Sequence, residues 1–298
     1  MTPTPKPRGP RRTSPSRRRA AGFTLVELIV AITLMAIIAG VIGSFISRPV
    51  EAYMATQRRA DLTATADFAL RRMGRDIKLA LPLSLRVSQV GTVWYIEFLQ
   101  TKAGGRFAYN ANCYTSTGCS SLTTLGDVND GSWTLAANSD RIVLFSQFNN
   151  PSCPGDLSAW CGNTYAPRIT GFTSGGSSQT ISFANTNFTA AADQPPYRFK
   201  VVEGPVTFVC NPTAGTLTRY SGYALQAGQP TDVTAAPLNA GTAALLANNV
   251  SACSVNYDSD TTAQSGLQGR GLISLQLDLT RNNETVSLYH QIAINNVP

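Results

Sequence analysis

The chain has few of the side chains on which most active sites depend. It has 298 residues but a single histidine, His290, and only 14% of its residues are charged. No two cysteines have the C-x-x-C spacing of zinc sites, and the histidine is distant from all of them. The run from Asp127 to Gly131 lacks the ligand alternation of a calcium loop and favours a solvated turn. We expect no metal, no cofactor and no enzymatic activity.

Acidic residues are absent from the first 22 positions, which are rich in proline, serine and arginine. This segment carries seven of the 24 basic residues, so 17 remain against 17 acidic residues in the rest of the chain. The formal net charge of +7 therefore belongs to residues 1–22 and gives no support to nucleic-acid binding. A segment of this composition cannot form a core, and we interpret it as a cytoplasmic leader.

A long apolar run follows the leader. Leu28 to Ile46 is about nineteen residues long, and Thr33 is among its few polar interruptions. A helix of that length nearly crosses a hydrocarbon layer of ~30 Å. The arginines on its amino-terminal side predict that this end stays in the cytoplasm and that the rest is periplasmic or extracellular. Membrane lipid is therefore an expected partner.

The junction between the leader and the apolar run carries a short motif, Gly22-Phe23-Thr24-Leu25-Val26-Glu27-Leu28. Its one carboxylate, Glu27, lies where the apolar segment begins. The small residues Ala20-Ala21-Gly22 come before the apolar run, whereas a secretory signal has its small-residue cleavage site after it. Cleavage at Gly22 would keep the apolar helix in the mature protein.

This motif resembles the type IV prepilin signal, with its basic leader, Gly-Phe junction, glutamate and membrane-length apolar run. The resemblance implies that an inner-membrane prepilin peptidase cleaves after Gly22 and methylates the amine of Phe23. In a filament, the amine of a neighbouring subunit can pair with Glu27 and so favour the correct axial register. In the unassembled subunit, Glu27 can lie at the membrane interface.

Three further stretches are similar to minor pilins of the mannose-sensitive haemagglutinin (MSHA) pilus, of the MshO type. They are Arg59–Asp67, Ala69–Asp76 and Val286–Pro298. This resemblance implies a minor pilin at the tip or initiation complex, with other major and minor pilins and the inner-membrane assembly platform as partners. The alternatives are a minor pseudopilin of a type II secretion system, a tip adhesin, and a membrane-anchored periplasmic enzyme.

An amphipathic helix is predicted after the apolar run. Apolar residues recur there at steps of three and four, which indicates one apolar stripe. The stripe consists of Leu62, Ala66, Ala69, Leu70, Met73, Ile77 and Leu81. Pro49 is predicted to kink or interrupt the helix and Pro82 to end it. We therefore expect a leader at 1–22 and a helix at 23–82, with its membrane half at 23–47.

Beyond Pro82 the pattern predicts short strands and long polar loops. Single strands are predicted at Thr92–Leu99, Arg141–Phe145, Tyr197–Val202, Val206–Cys210 and Thr216–Tyr220. The clearest hairpin pairs Leu272–Leu279 with Thr285–Ile292 through a turn at Arg281–Glu284. The expected fold is α+β and pilin-like, with a long helix packed on antiparallel sheets and a periplasmic β-rich domain at 83–298.

Six cysteines follow the membrane segment: Cys113, Cys119, Cys153, Cys161, Cys210 and Cys253. An even number of cysteines behind such a segment predicts disulfides in an oxidising compartment. Six cysteines allow about 15 connectivities. The spacing favours the local pairs Cys113–Cys119 and Cys153–Cys161, which leaves Cys210–Cys253.

Overall fold

A computed structural model of the chain describes residues 22–128, 134–147, 151–153, 155–173, 178–188, 193, 195–257 and 271–294. Within it the chain forms two compact units, Met1–Met54 and Ala55–Pro298. Parts of three predicted features lie outside the described residues. These are the leader before Gly22, the last three residues of the calcium-loop-like run (129–131), and the final four residues of the third MSHA-like stretch.

One long helix, α1 (Leu25–Lys78), contributes to both units. In the first unit its stretch Leu25–Gly43 has a mean hydropathy of 2.7, and none of it is buried. The hydroxyl of Thr33 donates to the carbonyl of Val30 at 2.9 Å, so its polar group is satisfied within this apolar segment. Pro49 lies inside α1, so the predicted interruption is excluded. A proline removes one backbone hydrogen bond, and here the neighbouring turns remain helical.

The helix ends at Lys78, before the predicted end at Pro82. The N–H of Leu81 donates to the carbonyl of Leu99 at 2.8 Å, and the N–H of Thr101 donates to the carbonyl of Leu79 at 2.7 Å. Hydrogen bonds to a strand thus replace helical ones in the last predicted turn.

Within the described residues the second unit contains twelve β-strands, and all their pairings are antiparallel. They are β1 (Arg86–Val90), β2 (Val93–Arg106), β3 (Cys119–Thr123), β4 (Arg141–Val143), β5 (Ile169–Thr173), β6 (Thr180–Thr186), β7 (Arg198–Asn211), β8 (Thr216–Ser221), β9 (Thr242–Asn248), β10 (Val250–Tyr257), β11 (Leu272–Arg281) and β12 (Glu284–Ala293). Short 3-10 turns lie at Ala111–Tyr114, Ala159–Thr164 and Leu238–Ala240.

The strands form three sheets. The first has the order β1-β2-β7-β8-β9, with β4 also paired to β7. The other two have the orders β3-β6-β5 and β10-β11-β12. The predicted α+β class with antiparallel sheets is confirmed.

The long strand β7 replaces two predicted strands, Tyr197–Val202 and Val206–Cys210. Its ladder with β2 shifts register between Gln100 and Thr101 and then continues. A bulge of this kind absorbs an extra residue without ending the strand, so the turn-like sequence Glu203-Gly204-Pro205 does not separate two strands. The strands β1, β3, β5, β6, β9 and β10 have no counterpart in the prediction.

The predicted hairpin is confirmed as β11 and β12. Asn282 and Asn283 form its two-residue turn, with φ angles of 51° and 63°. Positive φ at both positions is what a type I′ turn requires, and asparagine tolerates it. Leu275, Leu277 and Leu279 share the buried face of β11, as the alternation predicts.

The predicted apolar stripe of α1 lies in a hydrophobic core of the second unit. Its members there are Leu62, Ala66, Ala69, Leu70, Met73 and Ile77, all buried. The same core contains Phe98 of β2, Phe208 of β7 and Leu277 of β11. An ion pair reinforces this arrangement, because Arg219 of β8 donates to the buried carboxylate of Asp76 on α1 at 2.9 Å.

Strand β12 approaches α1 closely at Gly74. A Cβ atom on Gly74 would lie 2.9 Å from Nε2 of His290 and 3.6 Å from Cγ1 of Ile292. Glycine inside a helix costs about 1 kcal/mol relative to alanine. The close approach of the imidazole accounts for a glycine at this position.

We expect Gly74→Ala to gain less stability in the native chain than in a His290→Ala background. In the native chain the new methyl group must displace the end of the His290 side chain, which offsets much of the helix-propensity gain of about 1 kcal/mol. In a His290→Ala background the clash is absent, and we expect a gain of roughly 0.5–1 kcal/mol. Equilibrium unfolding of the four proteins measures the coupling, and additive effects would contradict the contact.

Candidate functional site

The motif residues lie at the exposed start of α1. Gly22, Phe23 and Thr24 precede the helix and have no regular secondary structure. The side chain of Phe23 is 79% exposed. The Gly22–Phe23 peptide bond is therefore outside any helix or strand, which is the condition that a processing protease requires of its substrate.

Thr24 caps the helix. Its Oγ1 accepts a hydrogen bond from the N–H of Glu27 at 3.3 Å, and its carbonyl accepts from the N–H of Leu28 at 3.1 Å. Glu27 is thereby the third helical residue, where negative charge interacts favourably with the helix dipole. The sequence-based interpretation gave no role to Thr24, although Thr-x-x-Glu is the spacing of a capping box.

Glu27 is surrounded by exposed apolar side chains. Leu25 is 74% exposed, Val26 69% and Leu28 54%. A continuous apolar surface of this kind is unfavourable in water and marks a contact with membrane or protein. The stretch Leu25–Gly43 is long and apolar enough to cross a membrane. The structure thus presents one carboxylate at the first turn of an apolar helix.

Residues 17–43 match the family model described as the prokaryotic N-terminal methylation motif. This match covers a small part of the chain and indicates a type IV pilin- or pseudopilin-like protein. No curated protein and no solved structure matches it. The motif implies processing by prepilin peptidase and assembly with other pilins. Together with the apolar helix, it indicates a membrane-anchored pilin-like protein with a globular domain.

The six cysteines form three disulfides, and no free cysteine remains among the described residues. The pairs are Cys113–Cys119, Cys153–Cys161 and Cys210–Cys253, the connectivity that the spacing favours. The first two close short loops. The third joins β7 to β10 with a Cα–Cα distance of 6.5 Å and so links two sheets.

Titratable groups with perturbed pKa values cluster away from the motif, inside the second unit. Arg86 donates to Glu97 at 2.7 Å, and the hydroxyl of Tyr223 donates to the other oxygen of Glu97 at 2.7 Å. Thr207 is hydrogen-bonded to the same Tyr223 hydroxyl. Burial raises the pKa of Glu97 and lowers the pKa of Arg86, because lost hydration outweighs their mutual attraction.

Arg86 also binds the loop at residues 226–228 and so holds it against the first sheet. Its guanidinium lies 3.7 Å from the ring centroid of Trp160. It also donates to the carbonyls of Gln226 at 3.0 Å and Gly228 at 3.3 Å, and to that of Ala227. These partners occupy the donors of Arg86, so the geometry supports a structural role. The sequence carries no signal for this network, because its members are up to 142 positions apart.

His290 and Asp127 fall in different parts of the second unit's secondary structure. His290 lies on β12 against Gly74, and Asp127 follows β3. Within the part of the chain that the structure describes, no group of three or more His, Cys, Asp or Glu side chains is arranged to hold a metal ion.

Proposed function

We propose that the chain is a minor pilin of a type IV pilus of the MSHA type. Prepilin peptidase cleaves the Gly22–Phe23 bond and methylates the new amine. The apolar part of α1 holds the subunit in the inner membrane, with the globular unit in the periplasm. The inner-membrane assembly platform then transfers the subunit into the filament, at the tip or initiation complex. The role is structural rather than catalytic.

The order of features at the start of α1 carries this proposal. An exposed, non-helical Gly22–Phe23 bond is followed directly by the Thr24 cap, then by Glu27 and the apolar helix. Cleavage leaves the helix attached to the Phe23 amine, so one chain end carries a cation and, four residues later, an anion. This arrangement suits subunits that associate through their apolar helices.

Glu27 gives the association its register. A carboxylate within a membrane helix costs a few kcal/mol on insertion scales. That cost is offset when the methylated amine of Phe23 on a neighbouring subunit enters the same low-dielectric region. The pair forms only in one axial position, so wrong positions leave two buried charges unpaired. The Thr24 cap keeps the helix formed up to Glu27 and so defines the position of its carboxylate.

The disulfides and the leader support the periplasmic placement of the globular unit. Cytosolic thiols are kept reduced, whereas the periplasm is oxidising. Three disulfides, including the link between β7 and β10, fit an oxidising compartment. The arginine-rich leader favours the cytoplasmic side under the positive-inside rule. The MSHA-like stretches support the finer assignment, since they include most of β12 and most of the buried apolar stripe of α1.

Processing at Gly22 tests the proposal directly. When the full chain is co-expressed with a prepilin peptidase, mass spectrometry should detect a mature protein that begins at N-methylated Phe23. Gly22→Val should block cleavage, because a branched side chain keeps the peptidase from approaching the backbone. Gly40→Ala is the matched control, since a Cβ there meets no neighbouring atom, and it should be processed like the native chain.

Two results would contradict the proposal. One is an intact leader in cells where the same peptidase cleaves another prepilin. The other is the absence of the mature chain from sheared filaments, in which we expect it as a minor component. A mature chain confined to the membrane and periplasmic fractions of piliated cells would favour a pseudopilin of a type II secretion system.

A further inference from the structure

The last turns of α1 carry a surface that differs from an ordinary solvated helix face. Phe68, Arg71 and Arg75 follow one another at steps of three and four, so they lie on one side of the helix, and Leu79 comes four residues after Arg75, just past the end of α1. Phe68 is 67% exposed and Leu79 is 46% exposed. Two large apolar side chains flank two cations here, a composition that is typical of protein interfaces.

A depression runs along this surface, with a volume of about 410 Å³. We call it the basic groove, and it is lined by Arg71, Gly74, Arg75, Lys78, Leu79 and His290. Gly74 has no side chain, and this lets the imidazole of His290 reach the helix from β12. The chain's only histidine thus lies among three cationic side chains of α1.

The basic groove has an unbalanced positive charge. Asp67 accepts hydrogen bonds from Nε of Arg71 at 2.8 and 2.7 Å and so offsets one cation. Arg75 and Lys78 have no ion-pair partner among the residues that the structure describes. The formal charges from Phe23 onward balance, so overall composition does not produce this cluster. The helix dipole favours cations in a last turn, but it explains neither the groove nor the exposed Phe68 and Leu79.

We propose that the basic groove binds an acidic, amphipathic segment of another pilin-like subunit. The partner's carboxylates pair with Arg75 and Lys78, and its apolar side chains cover Phe68 and Leu79. Guanidinium groups suit this partner because they bind carboxylates with two parallel hydrogen bonds. The exposed apolar residues favour a peptide over a small anion, which would leave them in water. The inference rests on the proposed function, since it assumes that subunits associate.

A defined probe tests the basic groove. The full chain in detergent micelles is titrated into a fluorescently labelled helical peptide with glutamates and leucines at i and i+4, and anisotropy is measured. A matched peptide carries glutamine in place of glutamate. The native chain should bind the acidic peptide, and R75E/K78E should bind it at least tenfold more weakly. The matched control is R106E/R198E, which changes the net charge equally at two exposed arginines paired across β2 and β7, and it should bind like the native chain.

Phe68→Ser separates a peptide partner from a polyanion. This exposed substitution should weaken binding of the acidic peptide about threefold and leave binding of a single-stranded oligonucleotide unchanged. Three outcomes would overturn the proposal: no binding by the native chain, equal losses in R75E/K78E and R106E/R198E, or an oligonucleotide that binds more tightly than the peptide and depends on Arg75 and Lys78.

Determining the amino-terminal residue of each purified variant distinguishes failure of the basic groove from failure of the proposed function. Loss of peptide binding in an R75E/K78E chain that begins at methylated Phe23 supports the basic groove and does not bear on processing. A chain that is not cleaved at Gly22 contradicts the proposed function, whatever the peptide does. Thermal unfolding should show that all variants are folded, with the unfolding temperature of R75E/K78E lower by a few degrees because two carboxylates then lie in the last turn of α1.

Discussion

A Glu27→Val chain is expected to be inserted and cleaved normally but to be lost from filaments by more than about tenfold, which corresponds to about 1.4 kcal/mol per contact. Valine removes the cost of placing a carboxylate in hydrocarbon, so membrane insertion is not impaired. The cleaved bond lies outside the helix and keeps its exposure. The Phe23 amine of a neighbouring subunit, however, then enters the apolar bundle with no counter-charge.

Two control variants separate the charge of Glu27 from its place in the helix. Glu51→Val makes the same change at an exposed position of α1 beyond the stretch Leu25–Gly43, and it should assemble normally. Thr24→Ala removes the cap, at about 0.5–2 kcal/mol of helix stability, but keeps the charge; it should reduce assembly less. Immunoblots of sheared filaments and of membranes give the assembled fraction of the chain. An assembled fraction of Glu27→Val equal to that of the native chain would contradict the register role.

Glu97→Leu is expected to destabilise the second unit by about 3–5 kcal/mol. Glu97 is 0% exposed and Arg86 is 3% exposed. Without the carboxylate, the guanidinium stays buried with only neutral partners, the loop carbonyls and the Trp160 ring, and the hydroxyl of Tyr223 loses its charged acceptor. An unpaired buried charge costs far more than the net contribution of the intact pair.

We expect this destabilisation because Glu97 is buried, and the same substitution at an exposed glutamate is the control. Glu203→Leu removes an exposed carboxylate of β7 and should change stability by no more than about 0.5 kcal/mol. The double variant Arg86→Leu/Glu97→Leu should cost less than the sum of its single variants, because no lone charge remains. Denaturant unfolding under non-reducing conditions measures all four. Equal midpoints for Glu97→Leu and Glu203→Leu would contradict the buried pair.

Elements whose pattern repeats within a few residues were predictable. The apolar stripe of α1 follows from steps of three and four, and the structure buries its members. The β11–β12 hairpin follows from alternation around Asn282-Asn283, a pair that accepts the turn's positive φ angles. The local disulfides follow from short loops, whose closure costs little entropy.

Elements that depend on distant partners were not predictable. The strand β7 continues through Glu203-Gly204-Pro205 because the ladder with β2 accommodates a bulge, and no local pattern reports this. The strand β9 is mostly exposed, so it lacks the alternation that marks a half-buried strand. The end of α1 at Lys78 depends on hydrogen bonds of residues 79–81 with β2.

The sequence by itself predicted the processing junction and determined the apolar helix with Glu27 and the amphipathic stripe, because cap chemistry and periodicity operate within short windows of chain. The Thr24 cap could have been read from the same motif. The tertiary structure alone decided that Glu97 and Arg86 are buried together and that Gly74 meets His290 beneath Arg75 and Lys78. These contacts join residues that are far apart in sequence, so they exist only after the sheets have formed and brought their elements together.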